Sequence, residues 1–206
     1  RRELGNRPEP GEPEQDGADE QRRELAVSIV ERLADRWGLP EENVYLVYTE
    51  HDGRDFHLVE GALASWDETE ADTFDFLMDV NLKTMFLASK HAVPRLRESD
   101  AAGQGAIVSV SARSSLEGGE GDGIYRASKA GVRILTETIA EENKGDVRAN
   151  AVMPSVIDTP MNREMMPDAD HDQWVDPADI AETVLYLCSD AASVTSGAAV
   201  PVYGEA

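Results

Sequence analysis

The chain has 206 residues, with 41 Asp and Glu against 19 Lys and Arg, and a net charge of -22. That length supports one globular domain with a sizeable core. A single cysteine excludes an intrachain disulfide, no apolar run approaches the roughly 20 residues of a membrane helix, and no leader pattern opens the sequence. The expectation is a soluble cytoplasmic protein that avoids nucleic-acid backbone and anionic membrane, because both repel such a surface.

Only four of the basic residues are lysines. Acidic, lysine-poor surfaces of this kind resemble those of cytoplasmic proteins from extreme halophiles. Self-repulsion among so many carboxylates strains the folded state unless salt screens it. The unfolding midpoint is therefore expected to rise steeply between low and molar salt, and a flat profile in a denaturation series would remove the halophilic reading.

Residues 1–19 carry Pro8, Pro10 and Pro13 among many charges and read as a loose acidic tail. Residues 20–206 then form a single domain. Asp19 caps a predicted helix to about Trp37, with Leu25, Ile29, Leu33 and Trp37 on one stripe. A β-rich run follows at 43–49, a turn at 51–54 and a short strand at 56–59. A long helix is predicted over 68–99, a buried strand over 106–111, and a glycine-rich loop at 118–123. Next come a helix over 124–143 and a strand over 146–152. After a segment at 161–174 come a helix over 177–189, opened by Pro177 in its first turn, and a strand over 198–202. Strand, helix and strand in succession make βαβ units and a mainly parallel, Rossmann-like α/β sheet. Cys188 reads as a small core residue. His51, His57, His91 and His171 show no ligand spacing, and no metal is expected.

Tyr125 and Lys129 are four apart on the 124–143 helix, so both side chains lie on one face. A phenol beside an ammonium is an acid-base pair in which the cation favours the phenolate. The pair opens a helix that follows a strand ending near Ser111, and ligands of parallel sheets bind beyond such strand ends.

Taken together, Asp79-Val80-Asn81-Leu82, the run from Gly105 to Ser111, Tyr125-Arg126-Ala127-Ser128-Lys129-Ala130, Val147-Arg148-Ala149-Asn150, Asp158-Thr159-Pro160 and Gly197-Ala198 resemble the short-chain dehydrogenase/reductase family. The likeness runs from about Phe74 to Tyr203. It implies Tyr125 as general acid-base and Lys129 holding a nicotinamide ribose. It implies Asn81 supporting a relay water, with Pro154, Ile157 and Thr159 around the nicotinamide of NAD or NADP. The 161–174 segment resembles the substrate lid. The likeness also implies a homodimer or homotetramer packed through the helices carrying Asn81 and Lys129. The family places a substrate-orienting Ser thirteen residues before the Tyr. Ala112 stands there, and Ser111 is one residue early, where strand alternation turns its side chain away.

The family opens with a strand and a glycine-rich phosphate turn. Gly5, Gly11 and Gly17 lie in a charged, Pro-rich segment with no strand before them, and Leu58 to Ala62 stands where the family has a strand ending in Asn-Asn-Ala-Gly. The first βαβ unit is thus expected to be missing or degenerate. Three functions follow from this sequence. One is an NAD(P)-dependent oxidoreductase interconverting a small carbonyl and alcohol, in which Tyr125, Lys129, Asn81 and Ser111 are the candidate catalytic residues. Another is a catalytically silent relative kept for assembly or ligand binding. The third is a tautomerase-like isomerase, which lacks its amino-terminal proline because Arg1 stands first.

Overall fold

All eight residues of β2, Val147–Pro154, are buried, and this strand is the middle of the sheet. β1, Gly105–Val110, pairs with it in parallel from Gly105 opposite Val147 to Val110 opposite Val152. β3, Ala199–Val202, pairs in parallel on the other side, from Ala151 opposite Ala199 to Pro154 opposite Val202. The order is β1-β2-β3. The strand is apolar apart from Arg148 and Asn150, as a strand covered on both faces must be.

This computed structural model describes residues 65–98 and 104–205. The chain divides into two units, Arg1–Thr49 and Glu50–Ala206, and every described residue belongs to the second. The expectations for the acidic tail, the helix to Trp37, the strands at 43–49 and 56–59 and the degenerate glycine turn lie outside the described residues.

The helical elements are α1 (Ala71–Leu77), α2 (Thr84–Arg97), α3 (Gly123–Glu142), α4 (Pro160–Met165) and α5 (Pro177–Cys188). The predicted helix over 68–99 is interrupted by a wider π turn at Met78–Lys83, in which the Thr84 amide reaches the Asp79 carbonyl. Such turns accommodate an extra residue and occur often at functional sites. No Pro or Gly marks this one in the sequence. α3 buries Ile124, Ser128, Val132, Thr136 and Ala140, a stripe of successive fours. All five residues are small or β-branched, which lets the helix lie close to the sheet. The helix also meets the π turn closely: a Cβ on Gly131 would stand 3.0 Å from the Leu82 side chain.

The two buried polar residues of β2 have defined partners. Arg148 is 3% exposed and donates to the carbonyls of Leu187, Cys188 and Ser189. It thereby satisfies the orphan acceptors at the carboxyl end of α5, where a cation also complements the helix dipole. Asn150 donates from Nδ2 to the Thr195 carbonyl and accepts the Ala198 amide, which fixes the turn into β3. Asp176 caps α5 by accepting the Ala178 amide. Cys188 is exposed rather than core, because a helix turns about 100° per residue and the inward position falls to Leu187. Among the described residues no helix is long and apolar enough to cross a membrane.

Candidate active site

Tyr125 and Lys129 lie one residue on from the buried Ile124–Ser128–Val132 stripe. A rotation of about 100° carries them to the flank of α3, beside the carboxyl end of β1. Lys129 Nζ donates to the Val110 carbonyl at 3.2 Å and sits 5.8 Å from the centre of the Tyr125 ring. The ammonium keeps two further N–H donors, and the Tyr125 hydroxyl has no partner among the described residues.

Burial dominates the electrostatics. It pushes the Tyr125 phenol above its ordinary range, and the Asp122 carboxylate pushes it further the same way. Burial also lowers the Lys129 ammonium. The expected lowering of Tyr125 by Lys129 is not what this arrangement produces: desolvation penalises both charged forms, and the charge that acts on the phenol is the negative Asp122 carboxylate. Tyr125 is therefore protonated at neutral pH and ready to donate.

The sign gives a test. Replacing Asp122 with Asn keeps an acceptor for Arg126 and removes a charge that disfavours phenolate. Tyr125 should then ionise at lower pH in Asp122→Asn. The measurement is a spectrophotometric tyrosinate titration, isolating Tyr125 as the difference from a Tyr125→Phe background. An unmoved midpoint would show that the Asp122 field does not reach the phenol.

Asn81, within the π turn, donates from Nδ2 to Ser128 Oγ at 3.1 Å, and Ser128 donates to the Tyr125 carbonyl at 2.8 Å. Ser128 is fully buried. This relay ties the π turn to the backbone of the helix that carries Tyr125. Ser128 was legible only as part of the Tyr-x-x-Ser-Lys run, and its link to Asn81 spans 47 residues.

Ser111 is 2% exposed, and its hydroxyl donates to the Lys129 carbonyl at 2.8 Å. It braces β1 against α3. Ala112 follows in extended conformation, φ -155° and ψ 156°, as the chain enters a short 3-10 turn at Arg113–Leu116.

Pro154 closes β2. Beyond it, Ser155 donates to the Tyr203 carbonyl, and Ile157 forms a parallel bridge with Val175. The Ile157 carbonyl accepts Asn162 Nδ2 at 2.7 Å, and Thr159 Oγ1 accepts the Asn162 amide to cap α4. The 161–174 segment is pinned by a two-pronged ion pair from Arg163 to Asp158, which holds the exposed Asp158 carboxyl below its usual range. His171 bonds the Met166 carbonyl and packs against Trp174.

The glycine-rich loop is not a free flap. Arg126 donates to the Asp122 carboxylate and to the carbonyls of Glu117 and Gly118. A Cβ on Gly119 would fall 2.2 Å from the guanidinium carbon, so the Arg126 head group lies directly against this backbone and would have to shift for any larger residue. The loop is folded around one cation. The Asp122–Arg126 spacing of four was the available sequence signal.

The donor set around Tyr125 fits the nicotinamide end of a dinucleotide. Two spare ammonium hydrogens and one phenol suit the hydroxyls of a ribose, and the described residues hold no cluster of His, Cys, Asp and Glu suited to a metal. The stretch in which the family carries its phosphate turn lies outside the described residues.

A family model described as enoyl-(acyl carrier protein) reductase matches residues 60–204. The 3-oxoacyl-[acyl-carrier-protein] reductase of Thermotoga maritima is 30% identical over 192 residues, covering 88% of this chain and 72% of that protein. The (3R)-3-hydroxyacyl-CoA dehydrogenase of Mus musculus is 35% identical over 143 residues, 65% of this chain and 54% of its own length. A short chain dehydrogenase from Shigella flexneri, solved in complex with NADP, superposes with a TM-score of 0.61 at 25% identity, over 68% of this chain and 58% of that one. The chain thus spans little more than half the length of the second and third of these. The motifs, the parallel sheet and these matches place the chain in the short-chain dehydrogenase/reductase family.

Proposed function

We propose that the protein is an NAD(P)-dependent oxidoreductase that interconverts a small carbonyl compound and its alcohol. The observation that carries this reading is the Tyr125–Lys129 pair at the carboxyl end of β1, with the phenol hydroxyl unengaged among the described residues. When bound, the nicotinamide supplies or accepts the hydride. The chain's own residues handle the proton and the geometry. Tyr125 donates its proton to the carbonyl oxygen in reduction and takes it back in oxidation. Lys129 orients the ribose with its two spare N–H donors while the Val110 carbonyl holds it in place. Asn81 and Ser128 fix the helix turn that carries Tyr125. Pro154, Ile157 and Thr159 form the wall for the nicotinamide, and Asn162 holds that wall in shape through the Ile157 carbonyl and the Thr159 hydroxyl.

Titration of the purified protein with NADH and with NADPH in molar salt, followed by cofactor fluorescence, tests this. Binding of either is expected. No binding of either by folded protein would remove the oxidoreductase reading. A silent relative has one observation in its favour: Ala112 offers no hydroxyl, and the neighbouring Ser111 hydroxyl is committed to the Lys129 carbonyl.

The reading includes a homodimer or homotetramer. Phe74, Phe86 and Leu87 on α1 and α2, and Ile134 on α3, are 43–48% exposed, an apolar cost that a second copy packed on these three helices would relieve. Light scattering in high salt should give at least twice the 22.5 kDa chain mass. A monomer would reject this part.

A further inference from the structure

Immediately amino-terminal to Tyr125 lies a pocket of about 240 Å³. Its walls are Trp66 and Thr69 on one side, the Gly119-Glu120-Gly121 segment on the other, and Gly123 at the start of α3. Trp66 is 79% exposed, an unusual state for the largest apolar side chain. Its indole edge would stand 3.7 Å from a Cβ on Gly123, so the ring lies against the backbone that leads into Tyr125. The opposite wall is the loop folded around Arg126, held by the Asp122 carboxylate and two backbone carbonyls. One wall is thus an aromatic ring, the other a backbone surface of glycines, and both are anchored to the first turn of the helix that carries the phenol.

We infer that this pocket is the substrate-selecting part of the site and takes a small, ring-containing carbonyl or alcohol that is uncharged or cationic, in preference to thioesters of phosphate-bearing carriers. The substrate class rests on the oxidoreductase reading; the binding of the ring does not. Three features set the class. The volume lies below the roughly 300–1,000 Å³ of pockets for drug-sized ligands, which limits the occupant to about one ring. An exposed indole offers a flat face for stacking, and its quadrupole attracts a cation. Among the described residues the lining carries one carboxylate, Glu120, and no cation, while the nearby Arg126 charge is already met by Asp122. A carrier ending in several phosphates would meet like charge at this mouth.

Saturation-transfer NMR with cyclohexanone gives a readout that needs no cofactor and no turnover. The protein should transfer saturation to the ring protons, Trp66→Phe should retain the signal, and Trp66→Ala should lose it with circular dichroism unchanged. With NADH or NADPH, Trp66→Ala should raise KM for cyclohexanone about tenfold while kcat stays within about threefold. Acetoacetyl-CoA should be used with a kcat/KM at least about tenfold lower than cyclohexanone, and Glu120→Lys should narrow that gap. Loss of the NMR signal in Trp66→Ala, with no ketone reduced by any form, would keep the pocket and end the oxidoreductase reading. Turnover of cyclohexanone indifferent to Trp66 would keep that reading and overturn the pocket. No saturation transfer to cyclohexanone in the unaltered protein, or a preference for acetoacetyl-CoA, would overturn it too.

Discussion

Tyr125→Phe should lose roughly 10²–10⁴ of its turnover, the range that a positioned general acid supplies. It should keep its fold. The Tyr125 hydroxyl has no partner among the described residues, so its removal leaves no buried donor or acceptor stranded, and the change in unfolding free energy should stay within about 0.5 kcal/mol. Cofactor affinity should also hold, because Lys129 and the Val110 carbonyl are untouched. The checks are steady-state kinetics, cofactor titration and denaturant unfolding at one fixed molar salt concentration. A Phe variant that turns over like the parent would mean that the proton comes from elsewhere, and the assignment of Tyr125 would fall.

The second large effect is a gain. Ala112→Ser places a hydroxyl thirteen residues before Tyr125, on a residue that is extended and 8% exposed. Removing one oxyanion donor from an enzyme costs about 2.7–4 kcal/mol, or 10²–10³ in kcat, so supplying one should raise kcat by up to about 10²-fold. Ser111→Ala is the internal control. Its hydroxyl serves the Lys129 carbonyl, so its loss should cost about 1 kcal/mol of stability and leave kcat nearly unchanged. If Ala112→Ser gains nothing while Ser111→Ala abolishes turnover, the substrate oxygen lies on the Ser111 side of the strand. The present view of Ser111 as a brace would then be wrong.

The sequence by itself determined the succession of strands and helices from Phe74 onward. Short apolar runs bounded by polar turns read as buried strands, long periodic runs read as helices, and right-handed crossovers leave one sensible way to join them. It also determined that Tyr125 and Lys129 share a face, because a spacing of four fixes this on any α-helix. Most ends moved by one or two residues, as with β2 at Val147–Pro154 against an expected 146–152, and the helix expected from 68 starts three residues later at Ala71. The tertiary structure alone decided the rest, and in each case the deciding partner is distant in sequence or depends on packing. The Met78–Lys83 π turn has no Pro or Gly to announce it, and it brings Asn81 to Ser128. Arg148 and Asn150 read as motif letters until the carboxyl end of α5 and the turn before β3 came to rest on them. Ser111 stood as a possible substrate donor until α3 presented the Lys129 carbonyl to it. The sign of the Tyr125 shift went against its sequence neighbour Lys129 because burial and the Asp122 carboxylate outweigh a cation that is itself desolvated. Spacing along a helix is local geometry and can be read from letters. Desolvation, and the atom that a buried donor finally meets, belong to the packed whole.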